Sequence, residues 1–306
     1  MLLVLNYDIS ETPWWTPPYV DRVSVATIGE NISTMRERIC APLDTSDTET
    51  EHELIFEGYS QFHKIIYVRE TLIGEGSIPT GSTVADVEKL LSMPIDDTES
   101  GSRDTISESG GHLSVRMAKK VQNLRDAVNF LFPTQFDTDL PAPEEFTPDL
   151  LMAIHRYVGG HGLISYAGSY RTKWLAPAKE DYVYLDPVRV PIELPRLCAS
   201  VRAALCNDSS LLKRVALAAA FATNFLHIHP FSNGNGRVAR LAVSWLLQGH
   251  TVVPVPLYAN GADQEVFLEC VQESRIGGPP FTARALSRFV LESVERVHRN
   301  VLNCLF

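Results

Sequence analysis

The sequence predicts a mainly α-helical protein with one small β-hairpin. Three observations carry this. Apolar residues recur at helical spacing in most long segments, as at Leu54, Ile55, Tyr59, Phe62, Ile65, Ile66 and Val68. The ends of several segments carry start and stop signals: Thr147-Pro148-Asp149 opens one helix, while Gly74-Glu75-Gly76 and Gly159-Gly160 close two others. Only Tyr166–Pro195 departs from this: it holds Tyr182, Val183, Tyr184 and Val188, and its short β-prone runs are separated by Pro177, Lys179, Glu180 and Asp181, which suggests a β-hairpin.

In chain order, residues 1–49 read as an N-terminal arm. Pro13, Trp14, Trp15, Pro17, Pro18 and Tyr19 show no period, and either offer an aromatic binding surface or pin an extended strip onto the body. A short helix is open to Asn31–Arg38, and Asp44–Glu49 reads as a solvated loop. A helical region spans 50–132, with helices over 50–72, over 84–90 (Val84, Val87, Leu90) and over 114–132 (Val115, Met117, Ala118, Val121, Leu124, Val128, Leu131). Met93–Gly111, rich in Asp, Ser, Glu and Gly, reads as a loop. After a connector at Pro133–Pro143, a core spans 145–306. Its helices are expected at Leu150–Val158, Leu197–Leu205, Leu211–His227, from the Gly-Asn-Gly turn to Leu247, Asp263–Ser274 and Ala285–Leu302. The helix at 211–227 is apolar on most faces and reads as the buried centre. Thr251–Tyr258 is extended.

Bulk properties narrow the classes of function. The 306 residues suffice for one large or two ordinary domains, and 45% apolar content supports a sizeable core. The net charge of −10 argues against a general nucleic-acid partner, which needs clustered positive charge. Five cysteines, none in a Cys-x-x-Cys pair, argue against a disulfide framework or a zinc site. His227 and His229 lack further ligands at metal spacing, and His227 reads as a structural, hydrogen-bonding histidine. The first residues lack the features of a secretory leader, and the apolar run at 215–222 is shorter than a membrane span. The expectation is a cytoplasmic protein with no membrane partner. Gly-x-x-x-x-Gly-Lys-[Ser/Thr] and Gly-x-Ser-x-Gly are both absent.

The chemistry concentrates in His229-Pro230-Phe231-Ser232-Asn233-Gly234-Asn235-Gly236-Arg237-Val238-Ala239-Arg240. A Gly-Asn-Gly turn leaves backbone N–H groups converging on one point, an anion-binding nest. The amphipathic segment that follows puts this nest at a helix N-terminus, where the dipole and unpaired donors suit phosphate. Arg237 and Arg240, three apart, share a helical face beside it. A single titratable base, His229, stands at the edge of this cradle. That combination implies proton removal from a nucleophile attacking phosphorus.

This stretch resembles the signature of the Fic (Fic/Doc) family, His-x-Phe-x-[Asp/Glu]-Gly-Asn-Gly-Arg-x-x-Arg, and departs from it only at Asn233. The resemblance implies a Fic-fold helical core with a β-hairpin flap. It implies protein AMPylation, the transfer of AMP from ATP to a Ser, Thr or Tyr hydroxyl. His229 would be the base and Phe231 the anchor of the loop. Gly234, Asn235 and Gly236 would hold phosphates through backbone N–H groups, assisted by the Asn235 side chain, and Arg237 and Arg240 would hold the outer phosphates. The flap, between Gly168-Ser169-Tyr170-Arg171 and Ile192-Glu193-Leu194-Pro195, would hold the target protein by strand addition. Thr71-Leu72-Ile73-Gly74-Glu75-Gly76 resembles the family's inhibitory motif, which implies that Glu75 pairs with Arg240. Glu57-Gly58 is a second match that lacks the leading Ser or Thr.

Where Asn233 stands, the family has an acid that ligates Mg²⁺. An amide oxygen ligates without the charge that a hard cation favours. Either metal binding is weaker and the phosphates hold most of it, or the donor differs from ATP, or another group supplies the charge. Transfer of another phosphate-containing group, removal of AMP with Glu75 orienting water, and an inactive interaction module stay open, as does a homodimer.

Overall fold

The computed structural model describes residues 7–17, 21–41, 49–95, 115–133, 140–177, 182–207 and 210–306. The sequence readings of residues 1–6, of the loops at 44–48 and 96–111, of the connector at 134–139 and of the hairpin tip at 178–181 lie outside the described residues. Among those described, ten α-helices follow one another: α1 (Val25–Cys40), α2 (Glu49–Gly74), α3 (Val84–Leu91), α4 (Val115–Leu131), α5 (Pro148–Val158), α6 (Val190–Leu205), α7 (Leu211–Ile228), α8 (Asn235–Leu246), α9 (Gly261–Arg275) and α10 (Arg284–Leu305).

The apolar stripes close around α7. Every residue of α7 from Arg214 to Leu226 is buried, and α6, α8 and α10 pack on it. Ala216, Ala218, Ala219, Ala220 and Ala222 keep its surface thin enough for three neighbours to approach. It is long and apolar enough to cross a membrane by composition, but its place inside the bundle accounts for that composition. On one side of this centre α8 meets α5 and α4, and α4 in turn meets α2 and α3. On the other side α10 meets α9 and α1.

α1 is longer than expected. Val25, Ile28, Ile32 and Ile39 form one buried stripe, and Ser24 caps the helix by accepting a hydrogen bond from the Thr27 N–H. Polar residues between these four hide the stripe in the sequence. The Trp-rich strip before it is pinned to the body. The Trp15 indole donates to Glu292 at 2.9 Å, and its ring meets Phe289 edge-on. α6 also starts earlier than the apolar pattern suggested, at Val190, because Pro191 sits in its first turn, where a missing N–H costs nothing.

The segment read as a hairpin carries no strand among its described residues. Among the described residues its two arms, 171–177 and 182–186, are joined by one backbone hydrogen bond, from Tyr184 N–H to the Leu175 carbonyl. Leu185 N–H instead donates to His227 at the end of α7. The second arm is therefore tied to the helix bundle as much as to its sequence partner.

α2 delivers Glu75. The helix closes in a Schellman arrangement: Ser77 N–H bonds the Leu72 carbonyl at 2.8 Å and Gly76 N–H bonds the Ile73 carbonyl at 2.9 Å. Gly76 takes the left-handed conformation this closure requires, with φ of 64°. Gly74 allows α2 to approach Tyr258, since a Cβ there would lie 2.5 Å from the Tyr258 Cβ. Glu75 is thus the last residue before the chain turns, projected at the start of α8.

Candidate active site

His229 caps α7. Its backbone is left-handed (φ 48°, ψ 60°), and its N–H bonds the Phe225 carbonyl at 2.8 Å. Arg171 holds this corner. Its backbone N–H donates to the Pro230 carbonyl, and its buried guanidinium donates to the carbonyls of His229 (2.6 Å), Lys173 (2.8 Å), Ile228 (3.3 Å) and Leu185. One side chain thereby ties the arm at 171–177, the arm at 182–186 and the end of α7 together.

The loop after His229 is fastened from inside. Phe231 is fully buried and stacks on His155 of α5, with ring centroids 3.8 Å apart and planes within 7°. His155 accepts a hydrogen bond at Nδ1 from Gly168 N–H (2.8 Å), so its proton is on Nε2, which donates to the Asn233 carbonyl (3.0 Å). Burial pushes its pKa down to about 4, with the Arg237 charge acting the same way and the Asn233 carbonyl opposing. The Asn235 amide accepts from Phe231 N–H (3.0 Å) and donates to the Phe231 carbonyl (2.8 Å). The sequence reading gave this side chain a share in holding phosphate. Here it is buried and committed to the loop's own backbone.

Gly234 turns the chain into α8 with φ of 76°; a Cβ there would press on Ile164 at 2.9 Å. Its N–H is taken by the Asn233 side-chain oxygen at 2.7 Å. The N–H groups of Asn235, Gly236 and Arg237 make no hydrogen bond among the described residues, as expected of a helix start open to an anion. They border a pocket of about 450 Å³, within the usual range for small-molecule sites. His229, Arg237, Arg240 and Glu75 line the same pocket, and Gln264, Phe267 and Leu268 of α9 form its far wall.

Arg240 is buried. Its guanidinium lies 4.3 Å from the centroid of the Tyr258 ring, donates to the Tyr258 hydroxyl (3.0 Å) and donates to Glu75. The other Glu75 oxygen faces Arg237 Nε at 3.4 Å. Burial opposes the Arg240 charge, but Tyr258 and Glu75 outweigh it, so the guanidinium stays cationic. Glu75 therefore occupies both arginines at once, at a helix C-terminus where a carboxylate without partners is disfavoured.

The His229 ring is stacked on Tyr184, 3.7 Å between centroids and 13° between planes. Burial is the main cause that lowers its pKa to about 3, and the nearby Arg171 and Arg275 charges add to it. The Leu226 carbonyl beside the ring pulls the other way without closing a hydrogen bond, so Nδ1 is buried and unbonded among the described residues. His227, two residues earlier, points elsewhere and bonds the Tyr182 hydroxyl through Nδ1.

No group of three or more His, Cys, Asp or Glu side chains that would hold a metal occurs among the described residues. The Asn233 oxygen is neutral and already accepts the Gly234 N–H, which makes it a poor ligand for Mg²⁺. His155, Arg171, Tyr184, Tyr258 and Arg275 all shape this site, yet none stood out in the sequence as a site residue. Only Arg171 carried a signal, as the end of the Gly-x-Tyr-Arg turn.

Residues 145–247, from the entry into α5 to the end of α8, match the Fic/DOC family. The chain is similar to the protein adenylyltransferase Fic of Nematostella vectensis, at 29% identity over 153 residues. That match covers 50% of this chain and about a third of the relative's length, 33%. Solved structures share the fold. A Fic family protein from Desulfovibrio desulfuricans superposes with a TM-score of 0.60 at 17% identity, over 94% of this chain and 77% of its own. Fic-1 from C. elegans superposes with a TM-score of 0.61 at 19% identity, over 91% and 72%. The signature loop, the helices that carry it and the surrounding fold thus all agree with the Fic/DOC match over residues 145–247.

Proposed function

We propose that this protein transfers AMP from ATP to a Ser, Thr or Tyr hydroxyl of a target protein, and that Glu75 restrains it. The observation that carries this reading is the convergence of an uncharged imidazole, an open helix N-terminus and two arginines on one pocket, with a carboxylate seated on both arginines.

The base must be uncharged to accept a proton, and burial keeps His229 so. A pKa near 3 makes it a weak base in the nucleotide-free protein. Bound phosphates bring negative charge beside it and raise its basicity toward the working pH. As the target hydroxyl oxygen bonds to the α-phosphorus, His229 takes the hydroxyl proton. The bond between the α-phosphorus and the bridging oxygen breaks, and pyrophosphate leaves. The N–H groups of residues 235–237 face the charge on the phosphates, and Arg237 and Arg240 are placed for the outer ones. Glu75 competes for those same donors and adds a like charge where the terminal phosphate would sit. In this reading residues 145–306 are the catalytic core, residues 50–132 are the helical region that supplies the restraint, and the arms at 171–177 and 182–186 hold the target by strand addition.

Of the residues here Asn233 alone would help hold Mg²⁺, and only weakly, so the phosphates would have to supply the charge that the amide does not. The neutral, pre-engaged Asn233 favours a second reading, in which the same cradle moves a phosphate-containing group from a donor that needs less metal.

The test uses ATP labelled at the α-phosphate, with and without Mg²⁺, with UTP and CTP in parallel. Wild type should label weakly, Glu75→Gly strongly and His229→Ala not at all. Glu57→Gly should behave as wild type: Glu57 lies 18 residues before Glu75 on a continuous helix, about 27 Å away along its axis. Restraint by Glu75 is refuted by equal labelling of wild type and Glu75→Gly, and the AMP assignment fails if label arrives only from UTP or CTP.

A further inference from the structure

We infer that Tyr184 and Arg275 are positioning residues for His229, a stacked column that fixes the imidazole plane and excludes water from one of its faces. The inference rests on the reading of His229 as the base. A general base ring is ordinarily oriented by a hydrogen bond at its second nitrogen. At His229 the Leu226 carbonyl lies beside the buried Nδ1 without meeting hydrogen-bond geometry among the described residues, so it fixes the ring only weakly. What meets the ring instead is the face of Tyr184 at 3.7 Å.

That face is itself held on several sides. The Tyr184 N–H bonds Leu175, and the next N–H, of Leu185, bonds His227. Tyr182 meets Tyr184 edge-on at 5.8 Å, and its hydroxyl is fixed by His227 Nδ1. Arg275, at the end of α9, lies over both rings, 4.3 Å from the Tyr182 centroid and 5.6 Å from that of Tyr184. The charged groups acting on the imidazole are therefore Arg171 from the turn after α5 and Arg275 from α9. Glu75, Arg237 and Arg240 face it across the pocket. Arg275 thus has two effects: it anchors the aromatic pair, and its charge disfavours a second cation at His229.

The test is made in the full chain carrying Glu75→Gly, so that transfer is measurable. Tyr184→Phe keeps the stack and should stay within about twofold of its parent, whereas Tyr184→Leu should lower kcat by about tenfold to a hundredfold with the KM for ATP unchanged. The acidic limb of the pH–rate profile should move to higher pH in Tyr184→Leu, because water reaches the ring. In Arg275→Gln it should move the same way but less. Histidine-labelled protein gives a readout independent of activity. The ring current of a stacked tyrosine displaces the His229 ring proton signals upfield, and Tyr184→Leu should abolish that displacement while Tyr184→Phe retains it. Unchanged rate and unchanged acidic limb in Tyr184→Leu would overturn the inference, as would a loss confined to KM. If the Glu75→Gly parent transfers no label, the catalytic reading fails, and the His229 signals alone decide whether the column exists.

Discussion

The two ends of the pocket are held by different physics. At the phosphate end the contacts are ionic: Glu75 against Arg240 and Arg237, with Tyr258 beneath Arg240. At the base end they are ring faces and backbone hydrogen bonds: Tyr184 on His229, His155 on Phe231, Arg171 across four carbonyls. An ionic contact can be exchanged, because another anion can satisfy the same donors. A stacked ring or a backbone carbonyl has no such substitute in a nucleotide. One end is therefore built to be displaced by ligand, and the other to stay as it is while that happens.

The contrast breaks most severely at Arg240. Arg240→Ala removes the main partner of Glu75, which on its own would release the restraint, and also removes the phosphate donor that the restraint covers. If the phosphate end works as described, the second effect wins. Transfer should fall by roughly 10²–10³-fold relative to a Glu75→Gly parent, the scale for losing a preorganised charged donor. Arg240→Ala in the wild-type background should gain nothing. The fold should weaken as well, by less than the roughly 3–5 kcal/mol of a fully enclosed pair, because Glu75 keeps Arg237 and faces the pocket. Labelling kinetics and urea unfolding measure the two effects. Increased labelling in Arg240→Ala would mean that Arg240 serves only to hold Glu75.

The base end breaks more gently at Asn235. Asn235→Ala strands the buried N–H and carbonyl of Phe231. At about 1–3 kcal/mol for each of the two stranded groups, the loss should be roughly 2–6 kcal/mol by urea unfolding. Transfer should fall about tenfold as His229 loses its exact placement, with ATP binding little changed. If the amide instead reaches phosphate, ATP affinity will fall first and stability will hold.

These contrasts follow what the sequence could and could not disclose. Local devices were legible. The Thr147 cap, the Gly76 closure of α2 and the Gly234 turn each depend on residues within a few positions of one another, and the helices they bound lie close to where periodicity put them. The donors of the phosphate end were legible too, since Arg237, Arg240 and the helix start are contiguous, although Tyr258 beneath Arg240 was not. The base end was not. Tyr184 and His229 are 45 positions apart, and His155 is 78 from Asn233. Nothing in an isolated Tyr-Val-Tyr marks it as the floor beneath an imidazole. The α1 stripe was missed for a different reason: four apolar residues spread over 15 positions among polar ones give a period but little density.

Acid sharpens the comparison without any change to the pocket's donors. The base end holds three histidines whose pKa values lie below the ordinary 6.5, chiefly through burial: His155 and His227 at about 4 and His229 at about 3. His63, under Pro254, sits at about 4 as well. Between pH 6.5 and 4 the unfolded chain therefore binds more protons at these sites than the folded one, and stability falls as the pH falls through that window. Glu70, raised by burial to about 7, acts in the opposite sense, since its neutral form is favoured in the fold. His298, also lowered by burial, joins these four, and five groups against one give a net loss, so the urea midpoint at pH 5 should lie below that at pH 7. His155 isolates the base-end share. Protonating its Nδ1 would set an N–H against the Gly168 N–H that it now accepts. His155→Gln should start less stable at pH 7, because the Phe231 stack is lost, yet lose less on going to pH 5 than wild type does. An equal loss in both proteins would mean that the ring is protonated as easily in the fold as out of it, and that the base end is no more rigid than the end it was contrasted with.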